Sequence, residues 1–104
     1  MNRYEIWQLD CKTNAENIRD LLFRSYDDVR HDGLEVSIEN YKLVYIFETV
    51  KTYDLDELYY IFNMQRPDDF TGHSLSMSDV VKTSDGYYYC DSFGWKKLDW
   101  MDWC

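Results

Sequence analysis

The chain has 104 residues, a formal net charge of −9 and 45% hydrophobic residues, with aromatics making up 18% of the whole. That length accommodates one domain core and excludes a second, and that composition excludes wholesale disorder. Twenty acids against eleven bases repel a bare duplex or an anionic membrane, so direct nucleic-acid binding is not expected.

No apolar run approaches the roughly 18 residues that a membrane span needs. The opening residues, Met1 to Ile6, carry no apolar core of a secretory signal. Cys11, Cys90 and Cys104 are an odd number of thiols at wide spacing, which does not make a disulfide framework. The expectation is a cytoplasmic protein with reduced cysteines.

Tyr4 to Leu9 alternates, with Tyr4, Ile6 and Gln8 on one face and Glu5, Trp7 and Leu9 on the other, and predicts a strand. Asn14 offers a helix N-cap and Glu16 sits in the first turn. Ile18, Leu21, Leu22, Phe23, Tyr26 and Val29 follow at helical spacing to about Arg30, with a possible break near Ser25 and an end at Asp32 and Gly33. Val36 and Ile38 predict a short strand. Tyr41 to Val50 is the most strand-like segment, and its continuous run Val44, Tyr45, Ile46, Phe47 predicts a central strand covered on both faces.

Asp54, Leu55, Asp56 and Glu57 form a capping box with Asp54 in the cap role. Leu55, Leu58, Tyr59 and Phe62 then fall on one helix face, and Pro67 stops the helix by restricting Arg66. Ser74 to Thr83 reads as a strand, Asp85-Gly86 as the tip of a tight hairpin with positive φ at both central positions, and Tyr87 to Ser92 as the returning strand. Gly94 allows a bend before a short strand over Trp95 to Leu98. The order β-α-β-β-α-β-β predicts one α+β domain over residues 1–104, a mixed or antiparallel sheet with both helices on one face. Its single core is expected to hold Val44, Ile46, Leu58, Phe62, Leu75, Val81 and Tyr88. Residues 99–104 form an aromatic and acidic tail.

Gly72, His73, Ser74, Leu75 and Ser76 have the outline of a nucleophile elbow. That motif requires Gly two residues after the Ser, and Ser76 stands there instead. A hydrolase built on Ser74, His73 and Asp91 is therefore the weaker reading. The stronger one is a polar turn and strand face. His31 stands alone, His73 is distant from Cys90, and no metal-ligand spacing exists. No Gly-rich phosphate cradle occurs, so no cofactor is expected and the chain is not expected to be an enzyme.

What remains is charge and aromaticity. The second half of the chain is the more acidic, with clusters at Asp54, Asp56 and Glu57, at Asp68 and Asp69, and at Asp99 and Asp102. Carboxylates spaced beside aromatics can occupy a cationic groove made for phosphate, against the plainer reading of a solubilising surface. Trp95, Trp100 and Trp103 either close the core or anchor a partner. The candidate partner-binding residues are those seven carboxylates with Trp100 and Trp103.

The segment Phe62 to Val81, with Pro67, Asp69, Phe70, Gly72, His73, Ser74, Leu75, Ser76, Ser78, Asp79, Val80 and Val81, is followed by Tyr88, Tyr89, Asp91, Ser92, Phe93, Gly94 and Trp95. This pattern resembles the YodL-like domain family. Tyr4 to Leu9 and Asn40 to Tyr45 are similar to its N-terminal part. Cys90 departs from the aliphatic residue usual there, and the terminal Trp100 to Cys104 has no counterpart. The resemblance implies a non-enzymatic interaction module with mobile-element carriage, one member being associated with interference in the MreB-type actin cytoskeleton. It supplies no catalytic residues.

Two partner expectations follow. An acidic mobile-element protein points to an anti-CRISPR-type inhibitor of Cas9, whose guide and target channels are lined with Lys and Arg. The family resemblance points instead to an MreB-type filament.

Overall fold

The computed structural model describes residues 1–10, 24–31, 33, 36, 38–70, 72, 74–92 and 94–100. Strand β1 (Asn2–Leu9) is followed by helix α1 (Tyr26–His31), a 3-10 turn (Ile38–Asn40) and strand β2 (Tyr41–Thr49). Helix α2 (Leu55–Met64) and strands β3 (Val80–Thr83), β4 (Gly86–Cys90) and β5 (Trp95–Lys97) complete the described elements. The strands form one antiparallel sheet in the order β2-β1-β3-β4-β5. The fold is α+β.

The alternation of β1 buries both of its faces. Leu9 joins Val29, Tyr41, Val80, Tyr87, Tyr89 and Leu98 in one cluster. Tyr4 and Ile6 join Leu58, Phe62, Leu75 and Val81 in another. Adjacent residues Val80 and Val81 are each fully buried and belong to different clusters, so these clusters lie on opposite sides of the sheet. Helix α1 covers one side through Val29 and α2 the other through Leu58 and Phe62. The expected single core with both helices on one face is thus corrected to a sheet between two helical layers.

Strand β2 is an edge strand, not a central one. Its apolar content serves a different end. The register against β1 shifts between Ile6 and Trp7, where Tyr45 pairs with Ile6 but Leu43 pairs with Trp7. Without that bulge, Tyr41, Tyr45 and Phe47 would share one face. With it, Tyr41 enters the first cluster while Tyr45 and Phe47 pack on the second. Ile46, expected in the core, is left 39% exposed, and Tyr88 is half-buried against Lys97 on the neighbouring edge strand.

Helix α2 carries the expected capping box. The Asp54 carboxylate accepts from the Glu57 amide at 2.7 Å, and the Glu57 carboxylate accepts from the Asp54 amide at 3.1 Å. Its buried residues are Leu58 and Phe62, and Tyr59 points outward where the sequence placed it inward. Phe62 packs edge-on against Phe47 and Tyr45 at 5.8 and 5.7 Å and tilted against Phe70 at 5.2 Å. In α1 the Ser25 hydroxyl accepts from the Asp28 amide at 3.2 Å, and Gly33 follows the helix at φ +74°. The expected helix start at Asn14, with Ile18, Leu21, Leu22 and Phe23, lies outside the described residues.

Three further expectations are revised. Val36 and Ile38 form no strand: a 3-10 turn leads into β2, and the Asn40 carbonyl accepts from the Asp10 amide at 2.8 Å. Ser74 to Asp79 is loop, because the Asp79 carboxylate accepts from the Ser76 amide at 2.9 Å in place of a ladder partner. At the β3–β4 hairpin, Ser84 and Asp85 are the central pair, and positive φ falls only on Gly86, at +131°.

Leu58 has no exposed surface. Leu58→Ala is expected to cost about 2–5 kcal/mol in denaturant unfolding, through lost transfer energy and a residual cavity. A loss near the surface-site value of about 0.5 kcal/mol would remove α2 from the core.

Candidate functional site

The Ser-rich motif forms a buried polar knot. Asp79 is 1% exposed, and its Oδ2 accepts from the Gln8 side-chain amide at 3.2 Å as well as from Ser76. Ser78, fully buried, adopts φ +81°, a conformation that costs a non-Gly residue of order 1–3 kcal/mol. Its backbone is held on two sides: the carbonyl accepts from the Tyr41 hydroxyl at 2.6 Å, and the amide donates to the Cys90 carbonyl at 3.0 Å. Gly72 belongs to the same knot, since a Cβ there would lie 2.5 Å from Gln8 Oε1. The carboxylate ties the loop to β1 and leaves Ser76 as a backbone donor. His73, half of the weighed catalytic pair, lies outside the described residues.

Asp91 serves a structural end as well. Its Oδ1 accepts from the Tyr26 amide at 3.1 Å, at the start of α1, and from the Ser92 amide at 2.7 Å. Beside it, the Cys90 thiol is 5% exposed. Burial first, then the charges of Asp79, Asp91 and Asp56, push its pKa up to about 12. A thiol so held is not a nucleophile near neutral pH. Burial likewise drives the Tyr41 and Tyr89 hydroxyls far above their ordinary range.

The acidic clusters separate in space. Asp54, Asp56 and Glu57 line one groove of about 520 Å³ with Tyr60 and Lys51. Tyr59, Tyr60 and Met64 stand out from the same helix at 43%, 54% and 70% exposure, and no residue of α2 is basic. Asp68 and Asp69 follow the helix, both exposed, and Asp69 accepts from the Tyr45 hydroxyl at 2.8 Å. Asp99 is exposed, next to Leu98 and Trp100, which pack on the first cluster. The Trp100 ring lies 5.2 Å from both Tyr41 and Tyr87, and its indole N–H donates to the Val36 carbonyl at 2.9 Å. Asp102 and Trp103 lie outside the described residues. Trp95 packs on the second cluster and donates to Asp56 at 3.2 Å.

Basic side chains lie on both sides of the sheet: Lys97 is over the Tyr88 ring on the side of the second cluster, and Arg3, Arg30, Lys82 and Lys96 are on the side of the first. Arg3 pairs with Glu5 at 3.1 Å, Lys82 lies over the Tyr87 ring, and Arg30 and Lys96 lie over Tyr26. The outer face of α2 itself is acidic and aromatic, with Lys51 at its margin. Sequence reading found the carboxylates of that face and missed Tyr59, Tyr60 and Met64. The signal was present, since Tyr60 and Met64 continue from Asp56 at steps of four along the helix.

The model of the YodL-like domain family matches residues 3–100. The chain belongs to the YodL-like domain family. The match includes β1, the polar knot and the β4–β5 hairpin, and it ends at Trp100, the last described residue. No curated protein and no solved structure matches the chain.

The raised thiol and hydroxyls set a pH dependence. The folded chain keeps the Cys90 proton to about pH 12, whereas the unfolded chain loses it near 9.0; Tyr41 and Tyr89 behave likewise above their ordinary 10.0. The unfolded state therefore binds fewer protons above pH 9, and stability falls as pH rises. Urea unfolding measured from pH 7 to 11 is expected to show a plateau to about pH 9 and a decline beyond it. A flat profile to pH 11 would contradict the burial of these groups.

Proposed function

We propose that this chain is a non-enzymatic protein-interaction module that inhibits a nucleic-acid-handling machine, in the manner of an anti-CRISPR inhibitor of Cas9. It does so by seating the outer face of α2 in a cationic groove and blocking the loading of guide or target. The observation that supports this reading is the composition of that face: exposed carboxylates at Asp54, Asp56 and Glu57, exposed Tyr59, Tyr60 and Met64, and no basic residue on the helix. Carboxylates grouped at the first turn of one helix can take the place of phosphates against Lys and Arg. The net charge of −9 steers association with a basic surface, and aromatic side chains supply the contacts that persist after encounter. The mobile-element carriage implied by the family resemblance suits an inhibitor of host defence.

A second reading is contact with an MreB-type actin filament. The apolar part of the same face, Tyr60 and Met64, favours it, as does the association drawn from the family resemblance. Such a partner surface need not be basic.

Salt separates the two. Inhibition of guide-dependent cleavage by purified Cas9 is expected to weaken markedly between low and physiological ionic strength, because exposed charges are screened over about 8–10 Å. Asp56→Lys combined with Tyr60→Ala, at exposed positions, is expected to reduce inhibition at least about tenfold, the loss of one interface anchor of roughly 1.4 kcal/mol or more. Salt-insensitive binding to MreB-type filaments without any effect on the nuclease would replace the first reading by the second.

Absence of catalysis is tested directly. Incubation with ester, phosphoester, RNA and DNA substrates, with and without divalent metal, is expected to give no turnover. Reproducible turnover that His73→Ala or Ser74→Ala abolishes would establish an enzyme instead.

A further inference from the structure

We propose that a cleft between α2 and the β4–β5 hairpin takes the guanidinium of an arginine side chain presented by the protein partner. The inference rests on the reading that α2 is the docking face and names the chemistry of its anchor. The cleft holds about 320 Å³, at the lower end of small-ligand sites of roughly 300–1,000 Å³. Asp56 and Tyr59 of α2, Asp91 of the hairpin loop and Trp95 of β5 line it. Its described lining contains two carboxylates, two aromatic side chains and no Lys or Arg.

Both carboxylates are held in place from within the fold. Asp56 Oδ1 accepts from the Trp95 indole at 3.2 Å, and Asp91 Oδ1 accepts from the Tyr26 and Ser92 amides. Among the described residues no hydrogen bond engages Oδ2 of either side chain. The Trp95–Asp56 bond also fixes an indole beside a carboxylate. A planar cation that stacks on an aromatic face and donates in the plane of its fork satisfies both groups at once. Guanidinium does this and is weakly hydrated, so a half-enclosed cleft costs it less than it costs an ammonium. The cleft shares Asp56 with the groove on the other side of α2, so an arginine there anchors the same docking event.

The test is a nuclear magnetic resonance titration of the full chain with acetyl-Gly-Arg-Gly-amide, following the Trp95 indole and the Ser92 and Gly94 amides. Trp95→Phe assigns the indole signal. The citrulline peptide, a neutral isostere, and the lysine and trimethyl-lysine peptides are the comparison arms. A saturable shift with arginine is expected, weaker with lysine and absent with citrulline. Asp56→Asn keeps an acceptor for the indole and is expected to weaken arginine binding about fivefold, as for a partly exposed ion pair. Asp91→Asn, which also preserves an acceptor, is expected to do the same with the fold intact by amide dispersion. No saturable shift, equal response to citrulline, or preference for trimethyl-lysine would overturn the proposal. Arginine binding without nuclease or filament contact would keep the cleft and remove the functional reading. Partner contact that depends on Tyr60, with no arginine response, would do the reverse.

Discussion

A carboxylate with 1% of its surface exposed organises the centre of this molecule. Asp79 enters the core beside Gln8, and a buried charge survives only where hydrogen bonds replace its hydration. Those bonds come from the first strand and from its own loop. The chain on either side is consequently fixed: Ser78 is held in a left-handed conformation by Tyr41 and Cys90, and Cys90 donates in turn to the Asp79 carbonyl at 2.8 Å. Three strands, β1, β2 and β4, are thus tied to one turn immediately before β3 begins. A side chain at position 72 would have to displace the Gln8 amide from its place beside Asp79. Asp79, Ser78 and Gly72 of the polar motif thus tie the loop to the sheet.

The second constraint is that both sides of the sheet are packed. Among the described residues single strands serve two cores. β1 and β3 do so by simple alternation of apolar residues. β2 does so through its bulge, which turns Tyr41 toward one layer and Tyr45 and Phe47 toward the other. The aromatic richness of the sequence has its reason here. Each cluster is closed by rings meeting edge to face at 5–6 Å, Trp100 on Tyr41 in one and Phe62 on Phe47 in the other, an arrangement that contributes beyond burial alone.

With polar and aromatic residues so committed, cations lie over rings on both sides of the sheet, and α2 turns carboxylates and tyrosines outward on one of them. A membrane span is not among the described helices, none being long and apolar enough. The outer face of α2, a helix of ten residues, with the hairpin beside it, is the surface on which the proposed function rests. The proposed inhibitory function and the arginine cleft draw on that face, and the cleft borders the polar knot at Met77 and Cys90.

The sequence by itself determined the elements whose signals are local. The capping box at Asp54, the helix it starts, the strand at Tyr4 to Leu9 and the family pattern from Pro67 to Gly94 are legible because caps, alternation and motif spacing act over a few residues. It also placed carboxylates on α2. Only the tertiary structure decided that β2 lies at the edge, that the helices sit on opposite faces and that Ser74 to Asp79 is loop. A run such as Val44 to Phe47 reads the same whether its faces are buried by two helices or divided by a bulge, since periodicity carries no information about which strand pairs beside it. The same limit hid the cleft: Asp56, Asp91 and Trp95 are far apart in the chain, and long-range hydrogen bonding, not spacing, brought them together.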